Sequence, residues 1–253
     1  MGYKRTRNIF NPNSDQPYKL SRSRLEMFLN CSRCFYLDRR LGIDRPSIPA
    51  FTLNSAVDHL LKKEFDEYRQ NGKPHPIMID SNIEAVPLVH EDLEKWRHNF
   101  TGVQVHHEAT KFLFFGAVDD VWTTSNGELI VVDYKATSKD GEVTLDGRWQ
   151  QAYKRQMEIY QWLLEKNGFK VSNTGYFVYA NGRRDLDAFK SKLLFNLKLI
   201  PYVGDRTWVD TALLEAHQCL LSDDIPDANS DCEYCQYRTA ARTYEPSNTS
   251  KDR

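Results

Sequence analysis

Residues Phe114–Lys135 run FFGAVDDVWTTSNGELIVVDYK. Two apolar runs flank a polar Thr-Ser-Asn-Gly turn. Each carries aspartate, and a lysine follows the last aspartate by two positions. The pattern predicts two strands, FLFFGAVDDVW and ELIVVDYKAT, paired as a hairpin. The run Leu129–Val132 is continuous enough to be buried on both faces. Pairing brings Asp119 and Asp133 close together, and strand alternation points Asp133 and Lys135 to one face.

Two carboxylates on one face repel unless a cation lies between them, and hard oxygen ligands suit Mg²⁺ or Mn²⁺. Such an ion lowers the pKa of a bound water and polarises a phosphoryl oxygen, while a neighbouring ammonium offsets charge in the transition state. This is the chemistry of phosphodiester hydrolysis. Charged strand ends with a solvated Lys135–Asp133 pair would give the same pattern.

Before the hairpin, SRSRLEMFLNCSRCFYLDRRLG predicts a helix from Ser21 to Gly42, with Cys31 and Cys34 near its middle or at a local break. A Pro-containing loop precedes a second helix, LNSAVDHLLKKEFDEYRQNG, which Gly72 closes. Between 73 and 110 the pattern gives a loop, a short helix in VHEDLEKWRHNF and a strand in VQVHHEATKF. After the hairpin come the loop SKDGEVTLDGR, a long helix ending at Gly168, strands in VSNTGYFVYANG and KSKLLFNLKLIPYV, and a helix in DTALLEAHQCLLSDD. Cys232 and Cys235 follow a Pro-containing loop, ahead of a polar end. The order predicts an α/β layered fold with a mixed central sheet flanked by helices. It divides into a flexible arm (1–18), one domain (19–238) and a disordered tail (239–253).

A net charge of -1 gives no global basic field, so a polyanion partner must be held by a local patch. No run approaches membrane-spanning length, which points to a cytoplasmic protein with no membrane partner. Five cysteines, an odd number, argue for thiol or metal chemistry over a disulfide framework.

Gly116–Asp119 reads G-x-V-D, Val131–Lys135 reads V-V-D-Y-K and Gln156–Tyr160 reads Q-x-x-x-Y. These resemble the successive motifs of the PD-(D/E)XK nuclease superfamily, in particular its RecB-like branch. The opening, SRSRLEMFLNCSRCFYLDRRLG, resembles that branch's N-terminal helix. The resemblance implies a restriction-endonuclease-like core. It implies Asp119, Asp133 and the backbone carbonyl of Tyr134 as metal ligands, and Lys135 as the residue aligning the attacking water. Gln156 and Tyr160 would face the site. Where many RecB-like nucleases carry a histidine on the second helix, this chain has Asp58, with His59 about 100° further round. Asp58 is the expected third carboxylate, and a one-residue shift would let His59 serve.

Cys31-x-x-Cys34 and Cys232-x-x-Cys235 could close into one four-sulfur site joining the two ends of the chain. Some RecB-like and CRISPR-adaptation nucleases place one cysteine before the nuclease core and three after it, around an iron-sulfur cluster. The two-and-two split here serves Zn²⁺ as well as a [4Fe-4S] cluster. Cys219, in an apolar helical run, reads as core. Arg148, Lys154, Arg155, Arg183 and Arg184 could contact nucleic acid. The implied function is a Mg²⁺- or Mn²⁺-dependent nuclease hydrolysing single- or double-stranded DNA. An exonuclease in DNA repair, recombination or defence, with a helicase or other protein partner, fits the family. A catalytically silent nuclease fold serving as a DNA-binding or scaffold subunit is the alternative.

Overall fold

The computed structural model describes residues 4–47, 49 and 51–245. Strand β1 (Tyr18–Ser21) leads into helices α1 (Arg22–Asn30), α2 (Ser32–Arg39), α3 (Thr52–Gln70) and α4 (Pro76–Asp80). Then come β2 (Ala85–Pro87), α5 (Leu93–Arg97), β3 (Val103–His107), β4 (Phe112–Gly116), β5 (Asp120–Thr124) and β6 (Leu129–Thr137). The chain continues through α6 (Gln150–Lys166), β7 (Thr174–Gly182), β8 (Phe195–Val203), α7 (Val209–Leu221) and α8 (Glu233–Tyr244).

The run FLFFGAVDDVW, expected as one strand, is two strands in different sheets. β4 is the middle of a three-stranded sheet ordered β1-β4-β3, and β5 belongs to a five-stranded sheet ordered β2-β5-β6-β7-β8. Gly116 ends β4 against the ring of Tyr160, where a Cβ would lie 2.7 Å from Cε1. A side chain there would collide with α6, so glycine lets the chain pass as it crosses between sheets. The hairpin itself stands: β5 and β6 are antiparallel, with Asp120 opposite Val132. β6 and β7 are parallel, and α6 supplies the crossover that a parallel pair requires. β7 and β8 are antiparallel, and β4 pairs parallel with β1 and antiparallel with β3, so both sheets are mixed.

β6 is buried from Leu129 to Tyr134, and its alternation divides the interior. Leu129 and Val131 pack with Met157, Ile159 and Leu163 of α6, whereas Ile130, Val132 and Tyr134 pack with Leu61 and Phe65 of α3. A strand with an apolar layer on each face has no solvent side to show, which is why the sequence does not alternate there.

Three smaller departures have local causes. Cys31 takes an extended conformation (φ -169, ψ 108) and splits the first predicted helix into α1 and α2. The arm expected to be loose is docked over the described residues 4–17. Phe10 is buried against Tyr18, Phe112 and His217, and its N–H donates to the Arg39 carbonyl at 2.7 Å. At the other end α8 runs to Tyr244, into the segment read as tail, because Cys232 and Cys235 anchor its first turn in a buried cluster. Residues 246–253 lie outside the described residues. Among the described residues, no helix is long and apolar enough to cross a membrane.

Candidate active site

The N-terminal halves of α3 and α6 flank β6 and, with Arg22 at the start of α1, enclose a cleft of about 370 Å³. Asp58, Asp119, Tyr134, Lys135, Tyr153 and Gln156 line it. Asp119 lies just before β5, and its Oδ2 accepts a hydrogen bond from the Tyr134 N–H at 3.0 Å. That bond ties the two sides of the hairpin together beside the Tyr134 carbonyl. Asp133 stands behind the cleft wall with no solvent exposure. Its Oδ1 accepts from Gln156 Nε2 at 2.8 Å, and the same amide donates to the Tyr160 hydroxyl at 2.9 Å. The amide thus hands the register of α6 on to the carboxylate. Asp133 Oδ2 makes an ion contact with Lys135 Nζ but has no hydrogen bond of ordinary geometry. Tyr160 is buried and reaches the site only through Gln156.

The electrostatics follow from crowding acids in a dry place. Burial pushes the Asp133 carboxyl up to about 7; Lys135 draws it down and the charge of Asp119 adds to the rise. Asp58 is also raised, by burial and then by Asp119. Burial works against the charged form of Lys135, but Asp133 and Asp119 outweigh it and hold the ammonium above its ordinary value. The ammonium also lies 4.7 Å from the centre of the Tyr153 ring. Asp58 and Asp119 repel one another at the cleft while Asp133 lies buried behind them against Lys135, and crowded carboxylate oxygens of this kind suit a hard divalent cation.

Asp58 lies on the wall of the cleft, whereas His59 is exposed. Three residues of the site escape the motif reading. Lys62 sits between acids, 2.9 Å from Asp58 and 3.5 Å from Asp119, and burial against it is outweighed by their charge. It is one turn beyond Asp58 on the same helix face, and that i,i+4 spacing is the signal the sequence carried. Tyr153 precedes Gln156 by three positions, a spacing that also marks one face. Arg22 could be placed only once α1 was known to begin beside β6's end.

The opposite face of the hairpin is structural. Asp120 is fully buried and accepts hydrogen bonds from Arg69, from Arg97 at 2.8 Å and from the Tyr134 hydroxyl at 2.8 Å. Of the cations expected to meet nucleic acid, Arg155 is held by Glu26 in a two-pronged pair (2.9 and 2.6 Å), and Arg183 and Arg184 pair with Asp185 and Asp140. Arg148 is exposed.

The four cysteines of the two C-x-x-C pairs come together at the far ends of the chain. Their sulfurs all lie within 4.8 Å of one another, with 3.6 Å from Cys34 to Cys232 and to Cys235 and 3.9 Å from Cys31 to Cys235. All four are buried free thiols, positioned for a metal or cluster. Cys219 is partly buried and lies outside this group, packed against the core as its apolar run predicted.

The family model of the PD-(D/E)XK nuclease superfamily matches residues 19–240, and the chain belongs to that superfamily. Its mixed sheets flanked by helices are those of the restriction-endonuclease-like fold. Among solved structures, the chain is similar to one described as the crystal structure of SSO0001, at 16% identity and a TM-score of 0.42, covering 95% of this chain and 90% of that one. No curated protein matches.

Proposed function

We propose that the protein is a divalent-metal-dependent deoxyribonuclease of the RecB-like branch, in which Asp119, Asp133, the Tyr134 carbonyl and Asp58 hold Mg²⁺ or Mn²⁺. The observation that carries this reading is the convergence of Asp119, Asp133, Lys135 and Gln156 from three separate motifs around one cleft. Bound there, the ion supplies a water of lowered pKa and polarises the phosphoryl oxygen. Lys135 aligns that water and offsets the charge that develops on the phosphate. Gln156 fixes the Asp133 carboxylate through Oδ1, Lys135 meets Oδ2, and Tyr160 fixes Gln156. The product chemistry of the family, a 5′-phosphate and a 3′-hydroxyl, applies. An exonuclease in DNA repair, recombination or defence, working in the cytoplasm and fed by a helicase or other protein partner, fits this site. Incubating the protein with labelled single- and double-stranded DNA and Mn²⁺ tests the reading; absence of metal-dependent cleavage would overturn it.

A second reading, a catalytically silent nuclease fold that binds DNA, has one observation in its favour. Lys62 lies between Asp58 and Asp119 and already offsets their charge. If Lys62 stands in for the cation, Lys62→Ala will raise Mn²⁺ affinity without producing cleavage. If the site is active, the same change will leave cleavage in place.

The cysteine spacings support a single four-coordinate ion. A Zn–S bond of about 2.3 Å in tetrahedral geometry sets the sulfurs about 3.8 Å apart. A [4Fe-4S] cluster puts four irons inside the sulfur shell and holds the thiolates further apart. We therefore favour Zn²⁺ over a cluster, as a clamp between α2 and α8. Elemental analysis and an absorption spectrum of anaerobically purified protein decide it; a brown protein absorbing near about 400 nm would reverse the choice. Cys34→Ser should release the metal and lower Tm by about 5–10 °C, since metal binding at such a site is folding free energy. A variant that keeps both its metal and its Tm would remove the clamp.

A further inference from the structure

Two large aromatic side chains stand in water where the helices of the cleft begin. Phe51 and Trp149 are each 73% exposed, and they are the N-caps of α3 and α6. Trp149 has a helical backbone (φ -68, ψ -28), so it continues the path of α6. It precedes Tyr153 by four positions and Gln156 by seven, which places all three on one helix face, with Trp149 a turn further out. Phe51 has a non-helical backbone (φ -80, ψ 76) and stands directly before the first turn of α3, whose Asn54 and Ser55 line the cleft. Both residues thus lie outside the lining of the cleft, at the starts of the two helices that supply it.

Singly exposed aromatics are common on protein surfaces, and what distinguishes these two is their place at the starts of the cleft helices. Other exposed aromatics, such as Phe100 at 76%, lie on elements that do not line the cleft. The groups around these two rings suit one class of ligand. Arg22 and Lys135 line the cleft, Arg148 is exposed beside Trp149, and both long helices direct their positive N-terminal ends toward the mouth. Cations that take phosphate, interleaved with free π faces, make up the surface that grips an unpaired strand. In an intact duplex every base face is covered by its neighbours, and the rings would have nothing to stack on.

We propose that Phe51 and Trp149 stack on the unpaired bases flanking the phosphodiester in the cleft, so that the site selects single-stranded DNA over intact duplex. The proposal rests on the reading of the cleft as a DNA-handling site. Its test is binding in the Lys135→Ala background, which holds cleavage off, with a labelled 16-nucleotide (approximate length) oligothymidylate and a matching duplex. Phe51→Ala and Trp149→Ala are each expected to weaken single-strand binding about tenfold and duplex binding less than about twofold. Trp149→Phe, which keeps a stacking face, restores single-strand binding, and Phe100→Ala changes neither. The oligothymidylate is expected to quench the share of tryptophan emission that Trp149→Phe removes from the five-tryptophan total, a signal that a purely structural role would not give. Unchanged single-strand binding in both alanine variants, or equal losses for single strand and duplex, would overturn the proposal. If the unaltered protein cleaves both substrates and the aromatic variants match it, this inference alone fails; if it binds neither substrate, the nuclease reading fails with it.

Discussion

Alanine at Lys135 is expected to lower Mn²⁺-dependent DNA cleavage by about 10²–10³-fold, the usual effect of deleting one preorganised electrostatic group from an active site. The ammonium is 15% exposed, touches Asp133 and lies over the Tyr153 ring. Those contacts give it one position, on the cleft wall next to the Tyr134 carbonyl that would face the cation. A group so placed can orient a water and meet negative charge on phosphate, and among the described residues no other ammonium is poised in the same way, because Lys62 is committed to Asp58 and Asp119. Cleavage assays on labelled DNA, beside circular dichroism of both proteins, check the prediction. Equal rates for the two proteins would remove Lys135 from the site.

The same substitution has a pH signature that separates a site effect from general damage. Asp133 titrates at about 7 in the folded protein, raised by burial and pulled down by Lys135. A carboxyl whose folded value exceeds its unfolded value of about 3.9 binds more protons when folded, so its burial is tolerated at low pH and becomes destabilising as pH rises toward the folded value. Deleting Lys135 lifts the folded value further and extends the destabilising window above pH 7. The metal-free variant should therefore match the parent closely in urea unfolding at about pH 5.5 and fall short of it at about pH 8.5. A deficit of the same size at both values would mean that the ammonium does not act on Asp133.

How much of this was legible in the sequence depends on where the determining contacts lie. The hairpin turn, the doubly buried run Leu129–Val132 and the long helix with its Gly168 stop are local patterns, and they fold as they read. The crossing from β4 to β5 was not legible, because an eleven-residue apolar run looks like one strand. What divides it is the contact of Gly116 with Tyr160, which only the packed fold reveals. Helix α8 was missed for a related reason: its sequence is polar and mostly exposed, and its anchor is a sulfur cluster completed by residues some two hundred positions earlier. Asp119, Asp133, Lys135 and Gln156 could be named from their motifs. Arg22 and Tyr153 on the cleft wall, and Lys62 beside Asp58 and Asp119, could not, since their places depend on which faces of α1, α3 and α6 meet β6.

Asp120, one position from Asp119, is expected to be the costliest single change, although it points away from the cleft. Its carboxylate has no solvent exposure and takes hydrogen bonds from Arg69, Arg97, the Tyr134 hydroxyl and the Val121 N–H. Burial disfavours the charged form of Arg97, yet Asp120 and Asp66 outweigh it and hold the guanidinium well above its ordinary value. Alanine at 120 would leave two nearly buried guanidiniums with the half-buried carboxylate of Asp66 and, for Arg97, the exposed Glu94 at 3.3 Å. Breaking one side of such a buried network costs about 3–5 kcal/mol, because the remaining charges keep their desolvation penalty without their partner. Tyr134 would lose its anchor at the same time, and its N–H is the donor that ties Asp119 to β6. The prediction is a urea midpoint lowered by that amount together with a loss of Mn²⁺ affinity, and Asp120→Asn, which keeps an acceptor for the tyrosine hydroxyl, should fall between. A loss below about 1 kcal/mol, the range of an exposed ion pair, would show that the arginines find other partners and that the back of the hairpin does not hold the front in place.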